Sequence, residues 1–203
     1  MKDATPVIEI PPLRLRMGEV VQMTASEFYD FCQLNPDLRL ERTAEGDLVI
    51  MPPAGGETGN RNAHLIAQLH FWAQRDGRGV VFDSSAGFVL PNGAIRAPDA
   101  AWVRRERLAQ LSREQKQRFL PLCPDFVVEL RSPSDARPDL EAKLAEYMAN
   151  GAQLGWLIDP LERELGVYRP EGVEVLVEPA RGSGEPLLAG FELDLALIWQ
   201  PDF

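Results

Sequence analysis

Three charged side chains stand where their neighbours are apolar. In D-F-V-V-E-L, strand alternation puts Phe126, Val128 and Leu130 on one face and Val127, Glu129 and Arg131 on the other, so a carboxylate occupies a core position. An unpaired buried carboxylate costs several kcal/mol, and Glu129 therefore binds a metal, pairs with a cation such as Arg131, or carries a raised pKa. Asp99, in R-A-P-D-A-A-W-V, leads directly into a small apolar strand. Alone it reads equally as a turn former. Two such acids on adjacent β segments can approach to the few ångströms that a hard cation requires. On the helix D-L-E-A-K-L-A-E-Y-M, Leu140, Leu144, Tyr147 and Met148 form the inward stripe, and Lys143 lies at its margin. It can reach inward or snorkel along the surface.

Two carboxylates and a lysine suffice for phosphodiester cleavage. The acids hold Mg2+, which polarises the phosphate and yields hydroxide from bound water, while the ammonium orients that water or stabilises the developing charge. No histidine is required, and the chain has two, His64 and His70.

The elements that must position these groups follow from local signals. T-A-S-E at Thr24–Glu27 is a capping box opening a helix to about Leu34. L-E-R-T-A-E-G-D-L-V-I-M reads as strand, turn at Gly46, strand, and a Gly/Pro loop precedes a helix from about Asn60 to Arg75. Val80–Phe82, Gly87–Leu90 and Ala100–Val103 read as neighbouring strands, the segment Arg104–Arg118 as helical, and Pro138–Asn150 as a helix ended by Gly151. Further strands and an apolar tail with Trp199 close the chain. That order fits a mixed sheet flanked by helices.

Composition narrows the function. The chain has 203 residues and a formal net charge of -10, which argues against nonspecific coating of nucleic acid. Six basic residues between Arg104 and Arg118 stand against two acids, and Arg104, Arg105 and Arg107 are the candidate phosphate contacts; a solvated helix explains the same charges. Two unpaired cysteines, no secretory signal in the first residues and no apolar run near 20 residues point to the cytoplasm and away from a membrane. Glycine-rich G-G-E-T-G-N lacks the Lys-Ser/Thr ending of a nucleotide loop. Cys32, Cys123 and the four tryptophans read as core.

With P-D at Pro98–Asp99, then P-D-F-V-V-E-L-R-S-P-S-D, D-L-E-A-K-L-A-E-Y and L-G-W-L-I-D-P, the chain resembles the Uma-type endonucleases of the PD-(D/E)XK, restriction-endonuclease-like superfamily over about Thr24–Arg169. The resemblance implies an α/β (mixed α+β) fold, a central mixed sheet flanked by helices with extra strands. It implies Asp99 and Glu129 as the two acids. The usual lysine two residues after the second acid is replaced by Arg131, and Lys143 is the substitute. Glu41, ahead of Gly46, Asp47 and Leu48, matches an acid able to join the metal shell. The expectation is one domain over 1–203 with 1–23 and 180–203 as peripheral extensions, and a homodimeric DNA endonuclease using Mg2+ or Mn2+. A catalytically silent nuclease fold serving as a binding or regulatory module is the alternative, which inward pairing of Arg131 with Glu129 would favour.

Overall fold

Runs of β-branched and aromatic residues between glycine and proline breaks form the strands. The computed structural model describes residues 11–18 and 20–203; the first ten residues, read above for a signal, lie outside them. In chain order, β1 (Leu13–Leu15) is followed by α1 (Ala25–Leu34), β2 (Arg39–Arg42), β3 (Leu48–Met51), α2 (Gly56–Asp76), β4 (Gly79–Asp83), β5 (Phe88–Val89), β6 (Ile95–Arg96) and β7 (Ala100–Arg104). Short α3 (Arg105–Ala109) and α4 (Arg113–Lys116) precede β8 (Phe126–Leu130), and α5 (Arg137–Ala149) links it to β9 (Leu154–Asp159). Then come β10 (Glu164–Arg169), β11 (Gly172–Val177), β12 (Arg181–Ser183), β13 (Glu192–Asp194) and α6 (Ala196–Trp199).

Six strands form the central sheet in the order β11-β10-β9-β8-β7-β4. β8 and β9 run parallel, as a helical crossover demands, and the remaining neighbours are antiparallel. On one face Leu65, Leu69 and Trp72 of α2 pack against Trp102, Phe126, Val128 and Trp156. On the other, Leu140, Leu144 and Tyr147 of α5 cover Val127 and Leu157. Each fully buried side chain of this size contributes about 1.5–3 kcal/mol. A second sheet, β1-β3-β2-β6-β5, packs with Phe28 of α1 around Leu48 and Ile95.

Both capping boxes form: Thr24 with Glu27, and Ser112 with Gln115. Four features differ from the sequence reading. α2 begins at Gly56 rather than Asn60, its first turn closed by the Gly59 N–H donating to the Gly55 carbonyl and by the Glu57–Arg61 ion pair at 3.0 Å. The segment Arg104–Arg118 is two short helices, since Ser112 caps a fresh start. Gly87–Leu90 supplies β5 to the second sheet instead of lying beside Val80–Phe82. Residues 180–203 place Leu187, Leu188, Phe191, Leu193, Leu195 and Ile198 in the main core.

Candidate active site

Sheet register brings the acids together. Ala100 lies opposite Val128 in the antiparallel β7–β8 pair, so Asp99, one residue before β7, falls opposite Glu129. Asp99 Oδ2 accepts the Leu130 N–H at 2.8 Å. Glu41 arrives from β2 of the second sheet, and Lys143 from α5. The Lys143 ammonium lies 2.8 Å from Glu41 Oε1 and 2.9 Å from Glu129 Oε1. Lys143 therefore turns inward from the margin of its stripe. Its side chain is 10% exposed, against 5% for Glu41 and 4% for Glu129.

Charge in this cluster is unbalanced. Arg96 of β6 holds Glu41 Oε2 at 3.2 Å and Glu146 Oε2 at 2.6 Å. The four carboxylates Glu41, Asp99, Glu129 and Glu146 thus crowd around the two cations Lys143 and Arg96. Burial pushes the Glu129 carboxyl up to about 8, with the Asp99 and Glu41 charges adding to the effect and Lys143 opposing it. Burial raises Asp99 as well. On Glu41, burial is outweighed by Lys143, Arg96 and the Ala97 N–H, which hold it below the ordinary glutamate value. Burial would lower Lys143, but Glu129 and Glu41 overcome it and raise the ammonium's pKa.

Of the residues singled out in the sequence, Asp99, Glu129, Lys143 and Glu41 meet in one open cleft of about 1060 Å3. Arg131 points away, its guanidinium 2.8 Å from Asp159 Oδ2. Arg104, Arg105 and Arg107 are not at this cleft. Arg104 ends β7, five residues or about 17 Å along the strand from Asp99, and Arg105 and Arg107 follow it. There Arg107 and Arg104 lie 3.0 and 3.7 Å from Asp125 Oδ1, and Arg105 Nε donates to the Gly77 carbonyl at 2.8 Å. His64 does not line the cleft.

Three members of the cluster, Arg96, Glu146 and Tyr147, escaped the sequence reading. Arg96 stands three residues before Asp99 in R-A-P-D, and proximity to that motif was its one signal. Tyr147 was assigned to the apolar stripe, yet it lies one helical turn past Lys143, where side chains share a face. Its buried hydroxyl has no hydrogen-bond partner among the described residues. Burial, then the Glu129 and Glu41 charges, raises that hydroxyl's pKa well above the ordinary tyrosine value.

Among the described residues, no three His, Cys, Asp or Glu side chains are grouped to hold a metal ion. Glu41 explains why, since Lys143 and the Ala97 N–H occupy Oε1 and Arg96 occupies Oε2. Asp99 and Glu129 remain as a facing pair of hard oxygen donors. Mg2+ keeps several of its waters and takes only one or two protein carboxylates, so this pair fits it. A divalent cation would also relieve the repulsion and burial that raise both carboxyls.

A protein family described as "Uma2: Putative restriction endonuclease" matches residues 25–196. The chain belongs to the Uma2 family. The matched span includes every residue of the acid cluster. A crystal structure of "a putative nuclease belonging to DUF820" from Anabaena variabilis ATCC 29413 superposes with a TM-score of 0.72 at 21% identity, covering 88% of this chain and 98% of that one. No curated protein matches the chain. The Uma2 chain thus has a restriction-endonuclease-like fold, a mixed sheet flanked by helices, and family and fold together support nuclease function. Among the described residues no helix is long and apolar enough to cross a membrane.

Proposed function

We propose that this protein is a divalent-metal-dependent endonuclease that hydrolyses phosphodiester bonds of DNA, with Asp99 and Glu129 holding Mg2+ or Mn2+ and Lys143 assisting. The supporting observation is the meeting of these three side chains in an open cleft with fewer cations than carboxylates. The alternative, a silent binding module, loses its main argument because Arg131 pairs with Asp159 rather than Glu129.

When bound, the cation supplies Lewis-acid polarisation of the phosphate and lowers the pKa of an attacking water. The chain's residues do the rest. Glu41 and Glu129 fix the Lys143 ammonium at the cleft floor, where it can orient that water or face charge developing on phosphate. Arg96 anchors Glu41 from behind, so Glu41 acts as a positioning residue. Asp99 is held by the Leu130 N–H, which leaves its other oxygen for the cation.

Arg39, exposed on β2 and lining the cleft, is placed to meet a phosphate. Arg104, Arg105 and Arg107, about 17 Å from Asp99 along β7, are the second contact for a duplex longer than the cleft; their reversal to Glu should flatten the salt dependence of binding, and an unchanged slope removes them from the interface. The protein works as a homodimer in the cytoplasm, because a two-fold symmetric duplex is most simply cut by two symmetric sites. The deciding experiment titrates Mg2+ or Mn2+ calorimetrically and with plasmid DNA. The parent should bind and cleave, and Glu129→Ala should do neither. Equal metal binding by the variant would sink the site.

A further inference from the structure

Among the described residues, β11 is the outermost strand of the central sheet and pairs with β10 alone. Its sequence, G-V-E-V-L-V, contains no proline or lysine, the usual guards of an exposed edge. Alternation sends Leu176 onto the main core and turns Val173, Val175 and Val177 the other way. Those valines are 58%, 47% and 70% exposed, an apolar stripe beside a row of unsatisfied strand donors and acceptors. Such an edge is a template for another strand.

We propose that β11 pairs antiparallel with β11 of a second copy about a two-fold axis through Val175, joining two six-stranded sheets into one. The identity of the occupant follows from charge and register. In an antiparallel two-fold pair, opposed residues must lie on the same face, so one residue sits opposite itself. An axis at Glu174 sets Glu174 against Glu174. An axis at Leu176 sets Glu174 against Glu178. Directly opposed like charges are destabilising in a ladder. The axis at Val175 avoids both: Glu174 faces Leu176, Val173 faces Val177, and Val175 faces itself. Of the registers that pair five residues of β11, this is the one without opposed like charges.

This surface deepens the homodimer reading above and rests on it for the number of copies, not on the chemistry. Glu129, Leu157, Gly166 and Val175 form one row across the sheet. Seven strand spacings of about 4.8 Å would therefore separate the two Glu129 residues by roughly 34 Å along the joined sheet. Each acid site is complete within its own chain. A failed dimer and a failed nuclease are then distinguishable results.

The contact is small, so association should be weak and concentration-dependent. Sedimentation velocity from about 1 to 100 µM brackets that range, and the parent should pass from monomer to dimer. Val175→Lys should weaken association at least tenfold, with circular dichroism and calorimetric Mn2+ binding unchanged. Opposed Cα atoms in an antiparallel pair lie about 4.5–5.5 Å apart, within disulfide reach. Under oxidation Val175→Cys should therefore link into a covalent dimer, whereas Val173→Cys, facing Val177, should not. The parent run beside them sets the background of Cys32, which is partly buried, and Cys123, which is buried. A parent that stays monomeric throughout overturns the proposal. So does a dimer indifferent to Val175→Lys, or equal linking by both cysteine variants.

Discussion

The two ends of the β7–β8 pair each bury carboxylates, and they treat them oppositely. At one end Asp125, 4% exposed, accepts the Arg104 N–H at 2.9 Å and faces the guanidiniums of Arg107 and Arg104. One acid there has two cations and a backbone donor. At the other end Asp99 and Glu129 face each other, and the nearest ammonium is shared with Glu41. A buried acid with its own partners ties elements together. Acids left short of positive charge are poised to take up a cation, and the same two strands carry both kinds because only the second end opens into the cleft.

Lys143→Ala should separate the two ends most sharply. Cleavage should fall at least about 100-fold, the low end for a positioned proton-bearing group. Removing one partner of a buried pair costs about 3 kcal/mol or more, so the metal-free variant should also melt lower. Added Mn2+ should restore part of that loss, because it replaces the missing charge. Urea unfolding with and without Mn2+ measures this, and a loss that Mn2+ leaves untouched would contradict a shared cation site.

Asp125→Asn is the matching change at the closed end. It leaves Arg104 and Arg107 without their carboxylate, but both guanidiniums are about one-third exposed and can turn to water. The expected cost is about 1–2 kcal/mol, independent of Mn2+, with cleavage per folded molecule unchanged. Metal-dependent stability in this variant would erase the contrast between the ends.

The smallest effect is on pH. With its carboxyl pushed up to about 8, Glu129 holds a proton in the metal-free fold that the unfolded chain, near 4.5, has released. Stability of the metal-free fold contributed by this group therefore falls as pH rises from 4.5 toward 8. A cation must displace that proton, so Mn2+ affinity should climb by up to about tenfold per pH unit and level off above that pKa. Calorimetry at a series of pH values reads the slope. A flat profile would mean that Glu129 is already ionised and compensated.

Much of the site was legible before any coordinates. Glu129 was conspicuous because strand alternation is strict, and a carboxylate on an apolar face needs an explanation at once. Asp99 and Lys143 were legible for the same local reason, a charge beside an apolar pattern. Arg96 and Tyr147 were not. An arginine on a short strand and a tyrosine in an apolar stripe both fit bland patterns, and only packing of the second sheet and α5 against β8 turns them toward Glu41 and Glu129.

The sequence by itself determined the helix starts at Thr24 and Ser112, the face on which each strand residue lies, and the mixed order of strands and helices. These depend on neighbours a few residues away. Only the tertiary structure decided that Lys143 and not Arg131 meets Glu129, that Glu41 is spent on cations, and that Arg104–Arg107 lie at the far end of β7. The physical reason is that charges meet across elements through sheet register and crossover. A one-residue change of register would face Glu129 with Ala100 instead of Asp99, yet it would leave the composition and periodicity of every segment the same.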